Sequence, residues 1–190
     1  MNLEIVAFGL SLACVILNAR GHAFNWPLAI LSSLAYAWVF QDAKLFGDAA
    51  LQLVFVALAI YGWIKWIKKP NTSNTTIFFS HIHRKSWVYI IITCTALFMV
   101  IRLVLMQYTD SDVPNIDAFL TAASLIATYM SAQKWIENWQ VWAFIDIIYI
   151  GLYIFKDLYL TALLYGLFVM LCAIGWRQWK KLMLIENPSL

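Results

Sequence analysis

Trp139, Trp142, Asp146, Tyr149 and Tyr153 recur at intervals of three and four residues, so on a helix they share one face. A carboxylate within an apolar helix is costly, by about 2.5 kcal/mol or more near a bilayer centre, and it asks for a partner or a ligand. The two indoles flanking Asp146 at helical spacing favour a ligand. Pairing of Asp146 with Arg102 or with a buried hydroxyl is the structural alternative. Gln52 is the second polar intruder in an apolar run. Its amide both donates and accepts, toward a ligand or toward a neighbouring helix, where such a bond is worth about 0.6–2 kcal/mol. The chemistry on offer is recognition. A membrane-embedded enzyme would need converging ionisable groups, and the pattern places no serine, histidine or metal-ligand cluster beside Asp146.

The elements that must hold this face are membrane helices. The 190 residues are 63% apolar, 16% aromatic and 12% charged, against about 45–50% apolar and 25% charged for a soluble domain. No water-soluble core of this size hides so much apolar surface. Seven apolar segments, near 3–19, 26–41, 46–67, 86–107, 117–133, 139–155 and 158–178, approach the length needed to cross a bilayer. Helices are forced, because an unpaired backbone amide in hydrocarbon costs several kcal/mol. The first segment is expected to remain as a helix and not to be cleaved as a signal peptide. Cys14, Cys94 and Cys172 sit singly in apolar runs and read as packing residues. His22, His81 and His83 fall in loops. Cofactors and metals are not called for.

The chain is a duplication. At a constant offset of 113 residues, Asn138, Trp139, Tyr149, Phe168, Gly175, Trp176 and Trp179 repeat Asn25, Trp26, Tyr36, Phe55, Gly62, Trp63 and Trp66 without a gap. The whole 1–190 chain reads as one integral membrane domain. It divides into a first three-helix repeat at 3–67, an inner loop and linker helix at 68–107, and a second repeat at 117–181. With three helices per copy, one extra crossing keeps the two copies parallel, a 3+1+3 bundle whose substrate lies near the midplane between repeats. The copies differ where it matters: Trp142 and Asp146 replace Ala29 and Ser33, and Tyr165 replaces Gln52.

Charge orients the bundle. With the N-terminus outside, inner ends collect Arg20, Lys65, Lys68, Lys69, Arg84, Lys85, Lys134, Arg177, Lys180 and Lys181, against Lys44 and Lys156 in outer loops. Ten against two sets the orientation under the positive-inside rule. So small a basic excess gives no case for nucleic-acid binding. Arg102 reads as a snorkelling side chain, and Trp63, Trp66, Trp176 and Trp179 as interfacial anchors.

The runs KWIENWQVW (134–142), ALQ (50–52) and YGWIKW (61–66) resemble the Pnu family of bacterial vitamin transporters, whose PnuC-type founders take up nicotinamide riboside. The resemblance covers essentially the whole chain. Its most specific piece is the helix 6 signature Trp-x-x-Trp-x-x-x-(Asn/Asp), here Trp139, Trp142 and Asp146, with Leu51-Gln52 on helix 3. It implies a fold similar to the SWEET sugar transporters. Site residues Trp139, Trp142, Asp146, Gln52 and Tyr149 would bind substrate carried by facilitated diffusion, without a coupling ion or ATP, through the bacterial inner membrane. A cytoplasmic vitamin kinase would pull uptake, and a homo-oligomer stays open. The nicotinamide riboside members carry Asn where this chain has Asp146. An ionised carboxylate only accepts hydrogen bonds, which favours a ligand with donors and positive charge. Thiamine, with its thiazolium suited to indole faces and its aminopyrimidine N–H groups, is the first expectation. Nicotinamide riboside is the alternative, and a non-transporting scaffold subunit the further one.

The orientation has a direct test. In a background without the three native cysteines, Ser111→Cys should react with an impermeant thiol reagent from outside, and Asn74→Cys only after the membrane is opened; the reverse pattern inverts the topology.

Overall fold

In the computed structural model the described residues are 2–42, 46–68, 79–108, 113–155, 157 and 159–186. Lys44, Lys69, Asn74, Asp110, Ser111, Asp112 and Lys156, which enter the charge count or the labelling test, lie outside them. The chain forms seven helices: α1 (Asn2–Ala19), α2 (Asn25–Asp42), α3 (Phe46–Ile67), α4 (Arg84–Tyr108), α5 (Pro114–Ala132), α6 (Asn138–Phe155) and α7 (Tyr159–Glu186). Every expected segment is present. Only the last end moves appreciably, because α7 continues past 178 with Leu182 and the buried Met183 still packed against the core.

Local chemistry sets the turns, and sets them twice. Gly21 and Lys134 both take left-handed backbone, at φ 69° and 62°. Gly21 N–H donates to Asn18 O and His22 N–H to Leu17 O; 113 residues on, Lys134 N–H donates to Ser131 O and Trp135 N–H to Met130 O. Both are Schellman endings, which satisfy the last carbonyls of α1 and α5. The next helix then starts from an asparagine whose Nδ2 donates back to the turn, Asn25 to His22 O at 2.8 Å and Asn138 to Trp135 O at 2.7 Å. A non-glycine residue in that conformation costs about 1–3 kcal/mol. At Lys134 two contacts offset the cost: its carbonyl accepts from Ser80 N–H, and its ammonium stands over the Trp66 ring at 5.8 Å.

Among the described residues, α1, α2, α3, α5, α6 and α7 form a closed ring in that order, with α7 returning to α1, and α4 packs outside against α5. α5 is the most enclosed helix. Its Ala118, Ala122, Ala123, Ala127 and Ala132 are buried, and small side chains of this kind let membrane helices approach closely. α4 turns Val88, Ile91, Val100 and Leu103 outward, as a lipid-facing helix must. By length and composition alone, Ala49–Ile67, Arg84–Tyr108 and Asn138–Phe155 hold windows apolar enough to span a bilayer. α2 and α5 dilute their apolar run with serines turned into the ring.

The two halves are joined by exchanged bonds at the end of the bundle where α1, α3 and α5 terminate. Trp66 Nε1 donates to Ser131 O at 3.2 Å, and its counterpart Trp179 donates to Asn18 O at 2.8 Å. Asn18 and Ser131, themselves counterparts, bond side chain to side chain at 3.1 Å. Equivalent positions meeting at one end of the bundle require the halves to run parallel. This corrects the expectation for the four tryptophans. Trp63 is exposed, as an anchor would be, but Trp66 and Trp179 are buried core, because they sit on the ring-facing side of α3 and α7. The linker closes the same end: Phe79 packs its ring 4.3 Å from Trp179 and 6.1 Å from Trp66. His81 Nδ1 meets Glu137 at 2.7 Å, and the other Glu137 oxygen accepts Ile82 N–H.

Trp179→Phe should therefore cost about 1–3 kcal/mol, since it loses one of the two donors to the Asn18 carbonyl and part of a buried ring, whereas Trp63→Phe should stay within about 0.5 kcal/mol. Thermal melts of the two variants in detergent against wild type give the comparison.

Candidate functional site

The ring encloses a cavity of about 340 Å³ whose wall draws on all six of its helices. α6 supplies Trp139, Trp142, Asp146 and Tyr149, the face expected from the spacing. Gln52 is not among the residues on this wall. It is half-buried on α3, three residues before the wall residue Phe55, and so lies on the same side of the helix one turn toward its N-terminal end.

The two indoles of α6 are held differently. Trp139 is 2% exposed, edge-on to Trp179 at 5.4 Å, and its six-membered ring lies on Gly175 so closely that a Cβ there would stand 2.6 Å from it. Its counterpart Trp26 lies on Gly62 in the same way, at 2.5 Å. The repeated glycine is thus a seat for a ring. Both indole Nε1 atoms are buried without a hydrogen-bond partner. Trp142 is only half-buried and leaves more of its ring free toward the cavity. Trp139 forms the floor of the site and Trp142 its side.

Asp146 is 6% exposed and forms no ion pair among the described residues. Its contact is the Cys172 thiol, which donates to Oδ2 at 3.7 Å. Arg102 is not the partner: its Nε donates to Asn115 Oδ1 at 2.6 Å, tying α4 to the start of α5. A carboxylate taken out of water without a cation keeps most of its desolvation penalty, and here it does so on the wall of a cavity. Tyr149 stacks on Tyr153 at 5.9 Å and leans on Tyr165 at 4.8 Å, which makes an aromatic layer outward of Asp146.

Several wall residues were not singled out from sequence. Tyr165 entered only as the residue that replaces Gln52, and Cys172 as packing. Ser124, Thr128 and Ser131 on α5 carried a signal, because three hydroxyls at helical spacing mark one polar stripe. The thiol carried none, since a cysteine in an apolar run looks the same whether or not it meets a carboxylate. Among the described residues no group of three histidine, cysteine or acidic side chains could hold a metal. What the arrangement can do is bind a flat molecule bearing positive charge, with aromatic surfaces around it and one acceptor facing it.

The model of the family described as nicotinamide mononucleotide transporter matches residues 1–181. The nicotinamide riboside transporter PnuC of Escherichia coli (strain K12) is 19% identical over 201 residues, covering 93% of this chain and 84% of its own length. The riboflavin/roseoflavin transporter RibM of Streptomyces davaonensis is 25% identical over 181 residues, covering 93% and 83%. The PnuC of Neisseria mucosa is 24% identical over 191 residues, covering 95% and 72%. A crystal structure of the vitamin B3 transporter PnuC has the same fold, with a TM-score of 0.75 at 23% identity over 95% of this chain and 81% of that one.

Gly175→Ala tests whether the indole seat matters to binding. The added methyl must push the Trp139 ring into the cavity, at a cost of about 1–3 kcal/mol for overpacking. Ligand affinity measured by calorimetry should fall although residue 175 is not on the cavity wall; unchanged affinity in a folded variant removes the seat from the site.

Proposed function

The chain belongs to the nicotinamide mononucleotide transporter family, and from that premise we propose that it carries a cationic aromatic vitamin across the bacterial inner membrane by facilitated diffusion, with nicotinamide riboside as its first substrate. One observation carries the reading: a buried carboxylate with no cationic partner among the described residues, on the wall of a cavity framed by indole and phenol rings. A permanent cation such as the pyridinium of a nicotinamide nucleoside or the thiazolium of thiamine supplies the missing charge without a proton. The volume, about 340 Å³, falls at the small end of ligand cavities, roughly 300–1,000 Å³, and suits a two-ring vitamin better than riboflavin with its three fused rings.

The relatives reorder the sequence expectation. Those named above carry nicotinamide riboside or riboflavin, which moves nicotinamide riboside ahead of thiamine. Asp146 remains the argument for thiamine as second candidate. In the unit we propose, repeats 3–67 and 117–181 rock about the shared site, with Gln52 one turn outward of it. The N-terminus faces the periplasm and the C-terminus the cytoplasm, where a kinase that phosphorylates the vitamin draws the gradient inward.

Calorimetry with nicotinamide riboside, thiamine and riboflavin on wild type and Asp146→Asn tests both substrate and site. Asp146→Asn keeps the shape and removes the charge. Thiamine binding should weaken by about 1.5–3 kcal/mol, while nicotinamide riboside should hold level or improve, because the new amide can pair with its carboxamide. Wild type that binds thiamine and ignores nicotinamide riboside restores the opposite ranking. An Asp146→Asn change in thermal stability alone, with every affinity unchanged, makes the residue structural.

A further inference from the structure

The two copies of the repeat treat one buried serine in opposite ways. In the first half Ser11 is engaged: its hydroxyl lies 2.7 Å from that of Ser32 and 3.1 Å from Ala7 O, with Ser32 3.0 Å from the same carbonyl, so one hydroxyl donates to the carbonyl and the other to its fellow hydroxyl. The counterpart of Ser11 is Ser124 on α5. The counterpart of Ser32, however, is Ile145, which is fully buried in an apolar cluster with Leu120, Ala123 and Ala127. Ser124 is 7% exposed, lies on the cavity wall, and its hydroxyl has no hydrogen-bond partner among the described residues. Its neighbours on the stripe are occupied: Thr128 donates to the Ser124 carbonyl at 2.8 Å, and Ser131 pairs with Asn18.

The Ser124 hydroxyl is open to the cavity, and a hydroxyl on a cavity wall that makes no bond among the described residues is a place where a ligand's polar group can be matched. α5 is the ring neighbour of α6, and Ile145, which holds the place of the lost partner, directly precedes Asp146. The hydroxyl and the carboxylate therefore line the same cavity from neighbouring helices. We propose that Ser124 forms a second polar subsite that takes the hydroxyl-bearing, ribosyl-like portion of the ligand while Asp146 and Trp142 take the charged ring. Ser124 is then a specificity-determining residue, selecting a glycosylated cation over a bare one. This rests on the transport reading above, and it adds the part of the ligand on which that reading is silent.

The test uses the purified full chain in detergent with two probes, nicotinamide riboside and its analogue lacking both ribose ring hydroxyls. Ser124→Ala should weaken nicotinamide riboside by about 2- to 12-fold, the range of one hydrogen bond, and leave the analogue unchanged. Its thermal midpoint should not fall, because no internal bond is lost. Ser11→Ala, whose hydroxyl is spent inside the protein, should lower the midpoint and leave both affinities unchanged. The proposal is overturned if Ser124→Ala leaves nicotinamide riboside binding as it was, if it weakens both probes by the same factor, or if Ser11→Ala has the same effect on binding. Wild type that binds neither these probes nor thiamine nor riboflavin sinks the transport reading itself, and the subsite with it.

Discussion

The carbonyls of Asn18 and Ser131 close the two helix ends on which the rest of the bundle depends. Each belongs to a tight turn at the inner end of the ring, and each is reached by an indole N–H from the opposite half. Each carbonyl already accepts an N–H from its own turn, Gly21 or Lys134, and the indole fills its second acceptor site, a bond worth about 0.5–1.5 kcal/mol net. The duplication is thus more than two copies side by side: each copy adds a second donor to the turn of the other.

On that symmetric frame the ligand wall has become one-sided. Ser33 and Asp146 are counterparts on α2 and α6, which lie opposite each other in the ring, and only the second carries charge. Tyr36 and Phe40 stack in the first half as Tyr149 and Tyr153 do in the second, but Tyr165 joins only the second layer. A ligand with one charged ring and one polar arm has no two-fold symmetry. A duplicated protein can match it on both sides only after the copies diverge, whereas the floor of Trp26 on Gly62 and Trp139 on Gly175 is the same in both.

The architecture was legible because it follows from periodicity and solvent. The 113-residue register, the seven apolar runs and the spacing of Trp139, Trp142, Asp146 and Tyr149 all survive in the structure. Less visible was anything set by which side of a helix faces a neighbour. Trp63 and Trp66 have the same type and the same basic flank, yet one faces out and the other donates to Ser131. Gly175 gave no sign that a ring rests on it, because its reason lies on another helix. Gln52 shows the converse: its polarity was plain, but its depth along α3 relative to the cavity was not.

The ring closes between its first and last members, α1 and α7, and this sets an order on biogenesis. A chain made from its N-terminus releases α6 into the bilayer before α7 has emerged, so Asp146 enters without the Cys172 thiol that meets it in the finished protein. Insertion of an aspartate near the centre of a helix costs about 2.5–3.5 kcal/mol on biological scales, and the apolar remainder of α6 must outweigh it. The buried carboxylate is therefore a burden on synthesis whatever it does in the finished cavity, and the last helix to arrive is the one that shelters it.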